Sequence, residues 1–213
     1  MTRWALFAAV PLLAAAAVSL AFVLRSSGSS STSTVVPVAD EAAATWAPGK
    51  KRAPAFSLRD EHGKPVSLAA LRGRPVLITF IDPLCRDYCP LEAQHLSDAV
   101  RSAGTKPTVV SVSVNTAGNS PSVLALDRRK WKLAPQWKWG IGSAAQLAQV
   151  WKRYGIEVIV AHKKIAGVTV QQVSHTEASY LVDAQGWQRA LFLWPYSAKA
   201  VSRALDALGP ASS

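Results

Sequence analysis

The sequence predicts an α/β fold of thioredoxin type, a central mixed β-sheet flanked by helices, and three observations lead there. Two short runs, residues 75–81 and 108–114, are β-branched and continuously apolar, as strands covered on both faces of a sheet must be. Each is followed by a helix-start signal, Pro90 after the first and Ser120-Pro121 after the second, so that strands alternate with helices. The chain then closes with a hairpin signal at Asp183-Ala184-Gln185-Gly186 and a last helix capped by Ser197. A length of 213 residues with 49% hydrophobic and 17% charged content suits one packed domain plus extensions, and it excludes a disordered chain.

Residues 4–24 carry no charge and, at about 1.5 Å per residue, are long enough to cross a hydrocarbon core about 30 Å thick. Ala-rich triplets lie inside this run instead of after it, and no lipid-accepting cysteine follows, so residues 1–25 read as an uncleaved transmembrane anchor. Arg3 and the amino terminus then remain cytoplasmic, which puts the rest of a single-pass chain on the extracytoplasmic side of the cell membrane. Residues 26–53, rich in Ser, Thr, Ala and Gly, read as a flexible tether with an r.m.s. span of roughly 30 Å.

The domain proper is expected over 54–210. Residues 56–58 and 66–68 flank Asp60-Glu61-His62-Gly63-Lys64, a hairpin turn in which Gly63 permits a positive φ. The first buried strand leads through a loop to a helix over 90–103, with Glu92 adding a favourable charge to its first turn. The second leads to a helix from the Ser120 cap to about Trp131. A further helix spans 143–154, with Ser143 as cap, Leu147, Val150 and Trp151 on one face, and Gly155 as its stop. Residues 157–160 and 168–173 read as strands joined by the basic link His162-Lys163-Lys164.

The only two cysteines, Cys85 and Cys89, lie between the first buried strand and its helix. With Pro90 at the first helical position, Cys89 becomes the N-cap, and Arg86 adds a positive charge; both thiols are then expected to be more acidic than a free cysteine. Such a pair suits three uses: a structural disulfide, a redox-active dithiol, or a soft-metal site. A bridge closing so short a loop removes little unfolded-chain entropy, which counts against the first. Two thiolates rarely complete a metal site, so the third needs another ligand. Asp82 stands where peroxidase chemistry in this fold class wants a Thr, three residues before the reactive cysteine, and argues against that activity.

Of four histidines, His62 lies in a turn, His95 on the helix after the cysteines and His162 in a basic stretch, and each reads as solvated. His175 follows a β-rich run and precedes the closing hairpin, a connection that in this fold enters the sheet beside the cysteine loop. Taken alone, it is as readily a structural histidine as a ligand. The pattern Cys85-x3-Cys89-Pro90 after a central strand, with His175 shortly before Tyr180-Leu181-x-Asp183-x-x-Gly186, resembles the Sco/SenC family. Those proteins are membrane-anchored copper chaperones for cytochrome c oxidase with a thioredoxin-like fold. The likeness runs from Pro54-Ala55-Phe56-Ser57-Leu58 through Gly140-Ile141-Gly142-Ser143 and Tyr154-Gly155 to Gly186.

The resemblance implies that Cys85, Cys89 and His175 are the ligands of one copper ion per chain, as Cu(I) or Cu(II). It also implies that the partner is a cytochrome c oxidase subunit or another copper or thiol relay protein. Two positions depart from the family pattern: Ser174 stands where Asp is common, and Asn115-Thr116-Ala117-Gly118 replaces an acidic, proline-containing turn. Donor chemistry agrees, because two thiolates and an imidazole form a soft site suited to Cu(I), whereas zinc normally adds a fourth ligand. Met1 is the only methionine, so no thioether completes the set. The alternative is an extracytoplasmic thiol–disulfide oxidoreductase that uses Cys85 and Cys89 without metal.

A net charge of +11 on an exported protein does not imply nucleic-acid binding, and none is expected. Arg128-Arg129-Lys130-Trp131-Lys132 and Trp137-Lys138-Trp139 concentrate basic and aromatic residues; they read as a solvated helix end with core tryptophans ahead of a docking patch for anionic lipid or an acidic protein face.

Overall fold

The computed structural model describes residues 38–209. The expected anchor, 1–25, and the tether up to residue 37 lie outside the described residues. Among the described residues no helix is long and apolar enough to cross a membrane.

In chain order the strands are β1 (Ala44–Thr45), β2 (Ser57–Arg59), β3 (Pro65–Ser67), β4 (Val76–Ile81), β5 (Thr108–Ser113), β6 (Trp137–Gly140), β7 (Val158–Ile165), β8 (Val168–His175), β9 (Ala178–Val182) and β10 (Gln188–Leu193). The α-helices are α1 (Tyr88–Ser102), α2 (Pro121–Lys130), α3 (Ala144–Tyr154) and α4 (Ala198–Asp206). Six strands form one mixed sheet in the order β1-β10-β9-β4-β5-β6. β4, β5 and β6 run parallel through the crossovers α1 and α2, while β9 lies antiparallel against β4. The expected central mixed sheet flanked by helices is therefore present.

β4 shows why its sequence is apolar throughout. Leu77 and Ile81 point into one core, beneath α1, α2 and α4, whereas Val76, Ile78 and Phe80 point into the other, beneath α3 and the β2–β3 hairpin. The expected caps form: the Ser120, Ser143 and Ser197 hydroxyls accept the N–H groups of Val123, Gln146 and Ala200. Gly155 ends α3 at φ 69°, a left-handed backbone that a side chain disfavours.

Three expectations change. Residues 39–53, assigned to the tether, are docked: Ala43 N–H donates to the Leu191 carbonyl at 2.8 Å, Trp46 N–H to that of Arg189 at 3.0 Å, and β1 pairs with β10. The edge of β10 needed a partner for its backbone groups, which the composition of 39–53 does not reveal. His162-Lys163-Lys164 is no link but part of β7, and the reversal falls at Ala166-Gly167, with φ of 48° and 83°. The resulting β7–β8 hairpin stands apart from the main sheet. Trp137-Lys138-Trp139 is strand β6 with both indoles buried, so the core assignment holds for these tryptophans.

Candidate metal centre

The loop after β4 is shaped by Asp82, whose Oδ1 accepts the Leu84 N–H at 2.7 Å and whose carbonyl accepts the Cys85 N–H at 3.1 Å. Behind it lies a 3₁₀ turn, Thr116–Gly118, and a methyl group built at Gly118 would come within 2.8 Å of Pro83 Cβ. The segment that departs from the family pattern is thus the floor on which the cysteine loop rests. Arg86 faces away from the sulfurs; its guanidinium donates to the carbonyls of Pro83 and Cys85 and approaches Asp127 at 3.7 Å.

α1 begins at Tyr88, with Asp87 as an N-cap that gives no side-chain bond. Cys89 is therefore inside the first turn and not its cap, a shift of register that turns its side chain into the core, where it is 1% exposed. Both cysteines are free thiols, Cys85 half-buried and Cys89 buried. The expectation that both are acidic holds for one of them. Cys85 is pulled down to about 6, first by the Cys89 thiol donating to it and then, against the cost of burial, by the N–H groups of Cys89, Asp87 and Tyr88. Cys89 moves upward for the complementary reasons: it donates to Cys85, it is desolvated, and it lies beside the Cys85 charge.

His175 ends β8 directly opposite Val158, and its ring reaches the Cys89 thiol. Its Nε2 lies 3.8 Å from Cys89 Sγ, while Nδ1–H donates to the Thr176 carbonyl at 3.1 Å. A carbonyl only accepts, so the proton belongs on Nδ1 and the Nε2 lone pair faces the sulfur. Burial lowers the pKa of the ring, which favours the neutral, ligating form. Ser174 is exposed, and the backbone carbonyl of Thr176 orients the ring. Two donors bound at roughly 2.0 and 2.3 Å to one ion stand about 3.5–3.8 Å apart, so the observed separation fits a shared soft metal. Among the described residues, no three His, Cys, Asp or Glu side chains are already closed around a common point.

Of the remaining histidines, His62 and His162 are exposed, as expected. His95 is not solvated: Nδ1–H donates to the Tyr196 carbonyl at 2.9 Å and the ring packs on Trp194. Sequence reasoning also misplaced Glu92, which is buried instead of decorating the helix start. Its Oε1 accepts the hydroxyls of Thr79, Ser179 and Tyr196 at 2.9, 3.0 and 2.9 Å. Thr79 and Ser179, polar residues inside otherwise apolar strands and cross-strand partners, were the signal that such a group faces them. Glu177 was missed too; burial, then Glu92 and Cys85, push its carboxyl up to about 7.

A family model described as SCO1/SenC matches residues 45–208. The bovine (Bos taurus) mitochondrial protein SCO2 homolog is 30% identical over 134 residues, which are 62% of this chain and 50% of that protein; the chain spans about half the length of the curated relatives it matches. Among solved structures, Bradyrhizobium japonicum ScoI with copper bound superposes with a TM-score of 0.64 at 24% identity, covering 74% of this chain and 99% of that one. BsSco, described as carrying a disulfide switch and as a member of the Sco family of cytochrome c oxidase assembly proteins, gives 0.60 at 22% identity over 76% and 95%. A match across the whole folded region, on a fold that these structures share, means that the chain belongs to the SCO1/SenC family.

Proposed function

We propose that this protein is a membrane-tethered, extracytoplasmic copper-binding protein that delivers copper to a cytochrome c oxidase subunit, using Cys85, Cys89 and His175 as its ligands. The observation that carries this is the free Nε2 of His175 facing Cys89 Sγ at 3.8 Å, with Cys85 on the loop immediately before that helix turn. Two sulfurs and one imidazole supply soft donors and leave coordination positions open for a receiving ligand. Copper is cargo here. Cys85, already a thiolate near neutral pH, makes the first contact, and capture by Cys89 requires that its proton leave. The apolar run 4–24 and the segment 26–37 support the tethered, exported placement.

A second use of the pair has its own support. One acidic, half-exposed thiol beside one protonated, buried thiol is the asymmetry that thiol–disulfide exchange employs, with Cys85 attacking and Cys89 resolving. The test separates the two uses through His175. In competition with a strong Cu(I) chelator, His175→Ala should lose copper at least tenfold more readily than wild type while keeping disulfide exchange. Ser174→Asp, whose side chain leaves β8 on the face opposite His175, should leave retention at the wild-type level. Equal and poor retention by wild type and both variants, with exchange intact, would transfer the function to the oxidoreductase.

A further inference from the structure

The β7–β8 hairpin is a sheet of two strands, each eight residues long, and among the described residues no third strand pairs with it. Its outer edges therefore carry unsatisfied ladder positions. Thr176 N–H donates to the Glu157 carbonyl, which sets the ladder: residues 159, 161 and 163 bond toward β8, and Val160, His162 and Lys164 turn their N–H and C=O groups outward. Natural edge strands are normally short, bulged or covered.

This edge is also apolar and basic. Ile159 and Val160, both on β7, are 54% and 50% exposed. Register puts Val160 on one face of the hairpin and Ile159 on the opposite face. A flat lipid surface could meet only one of these faces, whereas a strand laid along the edge is flanked by side chains of both. From 158 to 176 there is no acidic residue, and both lysines, Lys163 and Lys164, are on β7. Like charge on a second copy of a chain with net charge +11 opposes self-pairing, so the complementary occupant is acidic.

We propose that the outer edge of β7 is a docking site for an acidic, extended segment of a partner protein, which adds to the hairpin as a third strand. β7 starts at Val158, opposite His175, so the added strand ends at the same end of the hairpin as the candidate ligand, with β7 between them. That the docked partner receives metal rests on the copper assignment above; the docking itself does not.

The test uses the intact chain in a non-ionic detergent and a fluorescein-labelled peptide as long as β7, with Glu and Val in alternation. Anisotropy should show saturable binding that slows amide exchange at Val160, His162 and Lys164. His162→Pro, which removes an outward N–H and no hairpin bond, should weaken it at least tenfold, as should Lys163→Glu with Lys164→Glu, which keeps the backbone intact. A peptide with Lys in place of Glu should not bind. Absence of saturable binding, equal binding of the Lys peptide, binding untouched by the charge-reversed pair, or adsorption of the chain through this edge to phosphatidylglycerol vesicles without peptide binding would each overturn the proposal. Chelator competition on the same proteins separates the assignments. If the wild type fails to hold copper yet binds the peptide, the docking site stands and the copper assignment fails.

Discussion

At the residue scale the dithiol is unequal, and the inequality follows from half a helical turn of register. Cys85 lies outside the helix, facing its uncapped N–H groups, and Cys89 lies inside, facing the core. In the reduced protein, alkylation of Cys85 should accelerate as pH rises through about 6, because the thiolate is the reacting species. Cys89→Ala should move that midpoint upward, since the Cys89 thiol is the foremost stabiliser of the charge. Mass spectrometry of timed, pH-stepped labelling checks both, and a wild-type midpoint in the ordinary range near 8.5 would contradict the geometry. The sequence displayed the two cysteines, the strand before them and the proline after them, all of which are local. The assignment of Cys89 to the N-cap failed, Asp87 holding that position, because the start turns on where the first helical hydrogen bond forms.

At the element scale, legibility tracked how local the cause was. α2, α3 and α4 begin at the caps their residues specify, and the β2–β3 turn closes at Gly63 with φ 77°. Docking of residues 39–53 and separation of the β7–β8 hairpin depend on what neighbouring strands left unpaired, and no window of sequence contains that information. The turn Thr116–Gly118 is a third case, an apparent departure from pattern that supports Pro83 and Leu84 from behind. Gly118→Ala should cost on the order of 1–3 kcal/mol in urea denaturation, because the added methyl meets the rigid Pro83 ring. It should also weaken copper retention in the chelator assay by displacing the loop that holds Cys85. Unchanged stability and retention would show that the loop is not seated on this turn.

At the scale of the whole molecule, Glu92 joins α1 to β4, β9 and the approach to α4 through a single carboxylate oxygen. Desolvation raises its pKa in the fold above the ordinary 4.5, outweighing the three hydroxyls that lower it. The folded state therefore holds this proton to higher pH than the unfolded chain does. Its contribution is fully present below 4.5 and declines as pH climbs through the raised value. Glu92→Gln removes the titration, so the stability of the variant minus that of wild type should become more positive as pH rises above 4.5 in urea denaturation. A constant difference would mean that the carboxyl does not titrate in this range. The same wide view shows that the site straddles a seam. Cys85 and Cys89 belong to the main body, while His175 terminates a separate sheet that continues into it through Thr176 and Glu177 and packs Val158 and Val173 on its core. At about 3.3 Å per residue the hairpin extends roughly 26 Å from that joint. Midway along β8, Gln171 Nε2 donates to Asn115 Oδ1 at 3.3 Å, and Asn115 caps the turn on which the cysteine loop rests, so a change in that turn reaches the imidazole and the two sulfurs together.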